Sequence, residues 1–138
     1  MKAAEGLEKF VWNAPGYAPM AETPHWLAAL MNWEPGMTLK QAEQIERHER
    51  SDEVFVLIKG KAAMYTVCAN DALEVTEMQV GAIYNVLAGV WHNVLASADA
   101  SFVIVENRGT NVDGTELRPM TAHEIERLHA LAPGWAHL

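Results

Sequence analysis

The chain has 138 residues, half of them hydrophobic and a fifth charged, which is the composition of an ordinary globular protein with one sizeable core. Its formal net charge of −8 and the lack of any lysine- and arginine-rich run argue against nucleic-acid binding. The N-terminus lacks the apolar core of a signal peptide, no apolar stretch is long enough to span a bilayer, and Cys68 has no second cysteine to pair with, so we expect a cytoplasmic protein without membrane contact.

The first third of the chain predicts a lead-in, an arm and one strand. For residues 1–9 we expect a loose or helical segment, and the prolines within residues 15–24 favour an extended arm over the surface. The apolar residues 26–33 predict a buried strand. Glu34-Pro35-Gly36 then predicts a turn, because proline presets φ and glycine accepts positive φ.

Residues 39–50 carry conflicting signals. They are rich in strong helix formers, which favour a helix. On a helix Glu46 and His48 would point about 200° apart, whereas on a strand they would share one face. We predict a strand from about Gln44, because the spacing of His48, Glu53 and Gly60 has a structural explanation only if this segment is extended.

A cluster of polar side chains is predicted around the turn at residues 50–52. The apolar, β-branched run after Glu53 predicts a strand that is buried on both faces. An antiparallel return after the turn brings Glu53 to the face that carries Glu46 and His48, with Phe55 lining the same space.

The second half of the chain consists of short strand-like segments separated by turns. Predicted strands cover residues 62–68, 73–78, 83–86, 91–96 and 101–106. We expect the strand over 62–68 to pair with the one over 54–59 through the short Lys59-Gly60-Lys61 connection. Many short strands without alternating helices predict an all-β sandwich or barrel.

The C-terminal region predicts a loop followed by a helix. Residues 107–119 are polar and contain glycine, which is typical of a loop. Thr121 and Glu124 form the T-x-x-E capping box of a helix that extends to about Ala130, and Pro133-Gly134 ends it.

The spacing of the polar residues resembles the first motif of the cupin superfamily, G-x5-H-x-H-x3,4-E-x6-G. His48 takes the second histidine position, Glu53 the glutamate and Gly60 the closing glycine. Glu46 stands at the first histidine position and Lys40 at the opening glycine.

A second stretch resembles the other cupin motif, G-x5-P-x-G-x2-H-x3-N. Gly81, Gly89 and His92 fall in register, while Leu87 replaces the proline and Ala96 the asparagine. The two motifs span about the middle third of the chain, and the flanking strand pattern extends the resemblance to most of it.

The resemblance implies an all-β fold, a cupin-type double-stranded β-helix or jelly-roll barrel with a C-terminal α-helix. It further implies one domain over residues 1–138. In this division residues 1–37 form an N-terminal arm and strands, residues 38–107 the core barrel with both motifs, and residues 108–138 a loop and the C-terminal helix.

The resemblance also implies a divalent metal held by His48, Glu53 and His92, with Glu46 as a candidate fourth ligand or a general base. Two histidines and one carboxylate suit Fe(II) with open positions for substrate or dioxygen, and the same donors suit Mn, Ni, Co or Zn, so the metal stays open. Taken alone, His92 is more simply a core histidine with a satisfied hydrogen bond.

Aromatic residues supply the remaining candidates. Phe55, Tyr84 and Trp91 are candidates for a substrate pocket, although aromatic side chains are more often core. Three tryptophans near the N-terminus are candidates for a dimer surface, where tryptophan is enriched, and the resemblance favours a homodimer: Trp12, Trp26 and Trp33.

The expected function is that of a small cytoplasmic cupin metalloprotein. It would be an enzyme of dioxygenase, isomerase or lyase type that acts on a small polar molecule at the metal. The alternative is a metal-free cupin that binds or senses a small molecule without catalysis. The replacements within the two motifs are what support this alternative.

Overall fold

The computed structural model describes residues 1–69, 72–108 and 114–138, which contain twelve strands, one α-helix and three short 3-10 turns. The strands are β1 (Lys2–Ala4), β2 (Leu7–Glu8), β3 (Gly16–Glu22), β4 (Trp26–Asn32), β5 (Gln44–His48), β6 (Glu53–Lys59), β7 (Ala62–Val67), β8 (Leu73–Glu77), β9 (Ile83–Val86), β10 (Trp91–Ala96), β11 (Ser101–Asn107) and β12 (Thr115–Pro119). The helix α1 spans Ala122–Leu131, and the 3-10 turns span Pro35–Met37, Leu39–Gln41 and Gly134–His137.

Ten of these strands form two five-stranded antiparallel sheets. One sheet has the order β12-β5-β10-β7-β8 and the other the order β3-β4-β11-β6-β9, while β1 and β2 form a separate hairpin. The inner faces of the two sheets share one apolar core, so the predicted all-β jelly-roll barrel with a C-terminal helix is confirmed. No helix in the described part of the chain combines the length and the apolar character needed to cross a membrane.

Strand alternation decides which side chains enter the barrel. In a strand, successive side chains point to opposite faces. Three inner strands each contribute alternate buried residues to the space between the sheets: Glu53, Phe55 and Leu57 from β6, His92, Val94 and Ala96 from β10, and Phe102, Ile104 and Glu106 from β11. Polar groups therefore enter the core at the same end of these three strands.

A second apolar cluster lies between the outer face of the β5–β10–β7–β8 strands and α1. It contains Ile45 and Leu95 from the sheet and Leu128 from the helix, all of them fully buried. The capping box predicted at Thr121 is present: its side chain accepts from the Glu124 backbone N–H, and the Glu124 carboxylate accepts from the Thr121 backbone N–H. The helix prediction is thereby confirmed.

The N-terminal predictions need correction. Residues 1–9 are neither loose nor helical, because β1 and β2 pair as a small antiparallel hairpin. The arm predicted over residues 15–24 is strand β3, which pairs with β4. Pro19 is tolerated there because β3 is an edge strand and the register shifts between Pro19 and Ala21.

The predicted hairpin between β6 and β7 is wrong. β6 pairs with β11 and β9, whereas β7 pairs with β10 and β8 in the other sheet. The connection at Gly60 crosses between the sheets, with φ of 81° and room for no side chain, since an added Cβ would lie 2.6 Å from Ala100 Cα. Only glycine fits such a crossing without strain.

The loop predicted over residues 107–119 is also wrong at both ends. Asn107 is the last residue of β11, and residues 115–119 form strand β12, which pairs with β5 along its whole length. Thr115 and Leu117 face the cavity, while Glu116 and Arg118 face outward. Residues 109–113 of the predicted loop lie outside the described part of the chain.

Candidate metal centre

The polar cluster is positioned by the pairing of β5 with β10. Residues Gln44–His48 form a strand, which confirms the strand interpretation over the helical one. Glu46 lies directly opposite His92 in the register of these two strands, and His48 lies two residues further on the same face. Arg47 points to the other face, where it pairs with Glu116. The backbone therefore aims three polar side chains at one point.

The structure brings all four predicted ligands together. The Nε2 atoms of His48 and His92 lie 3.1 Å and 2.9 Å from the same atom, Oε1 of Glu53. Oε1 of Glu46 lies 3.9 Å from His92 Nε2. One donor atom from each of the four residues falls within 4.8 Å of the other three, so the cluster can hold a metal ion.

Hydrogen bonds behind the imidazoles fix how the rings face the cluster. Nδ1 of His92 lies 2.9 Å from the Val90 carbonyl oxygen, which can only accept, so Nδ1 carries the proton. Nδ1 of His48 lies 2.9 Å from Thr115 Oγ1. Such partners orient histidines that bind metal and set their tautomer.

The tautomer of His92 tests whether the cluster suits a cation. With the proton on Nδ1, a neutral His92 turns a lone pair on Nε2 toward Glu53 Oε1, 2.9 Å away. Two lone pairs at that distance require a proton or a cation between them. Two neutral imidazoles and the carboxylates of Glu46 and Glu53 carry two negative charges, which a divalent cation balances. The donor set therefore fits a divalent metal.

The titration of the buried groups reflects their mutual contacts. Burial alone would raise the pKa of Glu53, but the hydrogen bonds with His48 and His92 outweigh it and lower the pKa to about 2. Burial would lower the pKa of His48, but the hydrogen bond and the negative charge of Glu53 raise it. Glu53 is thus a carboxylate at neutral pH and a permanent anionic partner for whatever lies between the rings.

Glu46 differs from Glu53 in its surroundings. Its side chain is one-third exposed, and desolvation together with the charge of Glu53 raises its pKa. A carboxylate with a raised pKa beside a cluster of donors has the properties of either a weak ligand or a general base. Both roles predicted for Glu46 are compatible with its position.

Sequence reasoning missed two residues of this network, Tyr17 and Glu106. Glu106 lies opposite Glu53 in the pairing of β11 with β6, is buried, and accepts a hydrogen bond from the Tyr17 hydroxyl. Burial first, and then the charge of Glu53, raise the pKa of Glu106 to about 7 against the opposing effect of the Tyr17 hydrogen bond. The alternation of Phe102, Ile104 and Glu106 could have placed Glu106 inside the barrel.

The cluster lies on the wall of a cavity of about 590 Å³ between the two sheets. Its apolar lining comes from both sheets and includes Phe55 and Ile104 from one sheet and Val94 from the other. A cavity of this size, in which a cluster of polar groups converges beside apolar side chains, is typical of a small-molecule site.

Of the three predicted pocket residues, only Phe55 is part of the described cavity lining. Phe55 lines the cavity, with its ring edge-on to His92 at a centroid distance of 5.9 Å. Tyr84 packs against the core and its hydroxyl accepts from the Gln79 backbone N–H, outside the described cavity lining. Trp91 lies on the outer face of β10, between the guanidinium groups of two arginines at 4.7 Å and 4.8 Å from its ring centroid.

Solved structures of other proteins share the architecture of this chain. No family model and no curated protein matches the chain. Among solved structures, the protein BH2720 from Bacillus halodurans matches with a TM-score of 0.57 and 17% identity over 74% of this chain and 83% of that one. KdgF from Halomonas sp. matches with a TM-score of 0.52 and 17% identity over 66% and 76% of the two chains.

Oxalate decarboxylase OxdC from Bacillus subtilis matches with a TM-score of 0.54 and 18% identity over 68% of this chain. The chain spans about a quarter of the length of the oxalate decarboxylases that it matches, 23% and 24% in two structures. Structural similarity at identities this low shows a shared jelly-roll fold and does not extend to the chemistry, because one fold hosts many functions.

Proposed function

We propose that this protein, whose fold is the cupin jelly roll, is a small cytoplasmic metalloenzyme that acts on a small polar molecule. The observation that carries the proposal is the convergence of donor atoms from Glu46, His48, Glu53 and His92, all within 4.8 Å of one another, on the wall of a cavity. The cytoplasmic location is supported by the sequence, in which the single cysteine, Cys68, has no second cysteine for a disulfide.

His48, Glu53 and His92 would hold the metal, and Glu46 would either join them or act as the base. Bound there, a divalent ion of Fe, Mn, Ni or Zn supplies a Lewis acid for substrate oxygens. Glu46 is the residue best placed to accept a proton from the substrate, because it is partly exposed and its pKa is raised. A metal that binds substrate oxygens and a nearby base could serve oxidation by dioxygen, isomerisation or elimination. The proposal therefore covers dioxygenase, isomerase and lyase activities.

The proposed pocket combines apolar walls with the polar cluster. We expect Phe55 to contact the substrate, since it lines the cavity next to His92. Tyr84 and Trp91 would act indirectly. Tyr84 lies opposite Phe55 in the pairing of β6 with β9, and Trp91 precedes His92 on β10.

A metal-free binding or sensing protein is the second candidate, and one observation favours it. Glu53 Oε1 lies within hydrogen-bond distance of both imidazoles, so a protonated histidine would satisfy the cluster without an ion. The raised pKa of His48 acts in the same direction. In this case the cavity would bind a small molecule without catalysis.

A homodimer is part of the proposal. The outer face of the β3-β4-β11-β6-β9 sheet carries a row of apolar residues that are opposite one another in register: Leu30, Val103, Val56 and Ile83. Ile83 is 73% exposed. A contiguous apolar row on a sheet face is the kind of surface that a second copy covers in homodimers.

The test is the metal content of the purified, untagged protein after chelation and re-addition of Fe, Mn, Ni or Zn. Stoichiometric uptake is expected for the native chain, and His48→Ala should lower it sharply because one of the proposed metal ligands is lost. His123→Ala, which changes an exposed histidine on α1, should leave uptake unchanged.

A weaker effect is expected from Thr115→Val, which removes the partner of His48 Nδ1 without touching a ligand. Metal affinity should fall about 10- to 100-fold, the usual effect of losing such a partner. If His48→Ala retains the metal content of the native chain while far-ultraviolet circular dichroism shows an intact fold, the metalloenzyme proposal is wrong.

A further inference from the structure

Glutamates line the described part of the cavity without any lysine or arginine beside them. Five glutamates contribute to its walls and rim: Glu34, Glu43, Glu46, Glu53 and Glu106. No lysine or arginine is found among the described lining residues. The residues outside the described ranges, Asn70-Asp71 and 109–113, contain neither of these residue types in the sequence.

The arginines near the cavity in sequence are directed away from it. Arg47 stands between Glu46 and His48, but alternation turns it to the outer face, where it pairs with Glu116 at 3.0 Å. Arg118, from β12, pairs with Glu124 of the helix at 2.8 Å. These cations therefore neutralise glutamates outside the barrel, and no lysine or arginine pairs with those that line the described part of the cavity.

The two glutamates at the rim have no such partner. Glu34 and Glu43 are exposed, line the cavity, and form no ion pair or side-chain hydrogen bond with any described residue. By contrast, Glu22 on the surface pairs with Arg108 at 3.1 Å. The rim thus presents unpaired negative charge to whatever enters.

A bound divalent metal would not reverse this sign. It balances two of the carboxylates within the barrel, Glu46 and Glu53, and leaves Glu106 and the two glutamates at the rim. A cleft lined by one sign of charge with low-dielectric walls concentrates ligands of the opposite sign and repels those of the same sign. One end of an anion could reach the metal, but its remaining charge would meet no lysine or arginine in the described lining.

We propose that the substrate of this site is a small molecule that carries a positive charge, such as an amine or a quaternary ammonium compound, and is not an anion. This inference rests on the proposed function for the presence of a reaction at the site. The charge preference itself depends only on the cavity and its rim carboxylates.

Three probes of matched shape and different charge test the inference. The cationic probe is choline. The neutral probe is 3,3-dimethylbutan-1-ol, in which a tert-butyl group replaces the trimethylammonium group, and the anionic probe is 3,3-dimethylbutanoate, the carboxylate of the same skeleton. Dissociation constants would be measured by isothermal titration calorimetry on both the metal-loaded and the metal-free protein. Choline is expected to bind about 10-fold tighter than the neutral isostere and more tightly still than the carboxylate, with the preference weakening at high salt.

The double variant Glu34→Gln with Glu43→Gln should remove most of the choline preference while metal content stays at the native level. Glu74→Gln, which removes an exposed carboxylate outside the cavity, should leave the preference intact. Equal binding of choline and its neutral isostere, tighter binding of the carboxylate, or no binding of any probe would overturn the inference.

The two proposals fail in different ways. A protein that takes up no metal but still prefers choline contradicts the metalloenzyme proposal and keeps the charge inference. A protein that takes up metal through His48 but prefers the carboxylate supports the metalloenzyme proposal and contradicts the charge inference.

Discussion

At the scale of single residues, the carboxylate of Glu53 organises the site. Its Oε1 atom lies within 3.1 Å of the Nε2 atoms of both histidines, and Glu106 lies beside it on the neighbouring strand. Removing one member would leave buried charge without a partner, which is costly in a protein interior. The network therefore has to be treated as one unit.

The first prediction concerns the two residues that sequence reasoning missed. Tyr17→Phe should raise the pKa of Glu106 further above its value of about 7, because the Tyr17 hydroxyl hydrogen bond stabilises the charged carboxylate. The measurement is a carboxyl-carbon NMR titration of the metal-free protein. Because the folded chain retains a proton that the unfolded chain releases, the fold loses stability as pH rises from the ordinary pKa of 4.5 through about 7.

Tyr84→Phe is the matched control, since the Tyr84 hydroxyl bonds the Gln79 backbone and not Glu106. The pKa of Glu106 should not change in that variant. A lowered or constant pKa of Glu106 in Tyr17→Phe would contradict the assigned direction of the hydrogen bond.

At the scale of elements, strand alternation and one crossing turn build the cavity. Alternation sends Glu46 and His48 inward and Arg47 outward from the same strand. The turn at Gly60 sends β7 into the opposite sheet from β6, so that β10 can bring His92 across the barrel from Glu53. A hairpin at Gly60 would have placed the two strands side by side.

Gly60→Ala should destabilise the fold by more than the strain of positive φ alone, which costs about 1–2 kcal/mol. The added Cβ would lie 2.6 Å from Ala100 Cα and 2.8 Å from its nitrogen, both backbone atoms that cannot move independently. Gly81→Ala provides the comparison, because Gly81 has φ of 85° but no atom within 4 Å of an added Cβ.

Urea denaturation of the two variants separates these costs. Gly81→Ala should lose only about 1–2 kcal/mol, and Gly60→Ala should lose several kcal/mol or fail to fold. Equal losses in the two variants would show that the close approach to Ala100 has no energetic consequence.

At the scale of the whole molecule, the two sheets have different outer faces. The outer face of the sheet that contains β8 packs against α1, and the aromatic ring of Trp91 fills the space beside two arginines. The outer face of the other sheet carries Leu30, Val103, Val56 and Ile83 in one row. This asymmetry is what favours the proposed homodimer.

Val103→Lys should weaken dimerisation by about 30-fold or more, the effect of losing one central interface residue and introducing a charge there. Leu131→Lys, which changes an exposed apolar residue at the end of α1, should leave the dimer intact. Sedimentation velocity over a range of protein concentrations measures both. A native chain that sediments as a monomer at high concentration would refute the homodimer.

The sequence by itself determined the local geometry and the identities of the four converging residues. Glu46 and His48 are two residues apart, so on a strand they share a face, and the spacing of Glu53 and His92 carried the resemblance to the cupin motifs. The helix at Thr121 was equally local, because a capping box involves only four neighbouring residues. Such features depend on contacts within a few positions of the chain.

Only the tertiary structure decided which strands pair and what surrounds the cluster. β6 pairs with β9 and β11, and β7 pairs with β10, strands that are distant in sequence, so nothing near Gly60 distinguishes a hairpin from a crossing between sheets. Glu106 and Tyr17 became part of the network because β11 and β3 lie in the same sheet as β6. Long-range pairing is set by the packing of the whole core, and a local pattern of residues does not encode it.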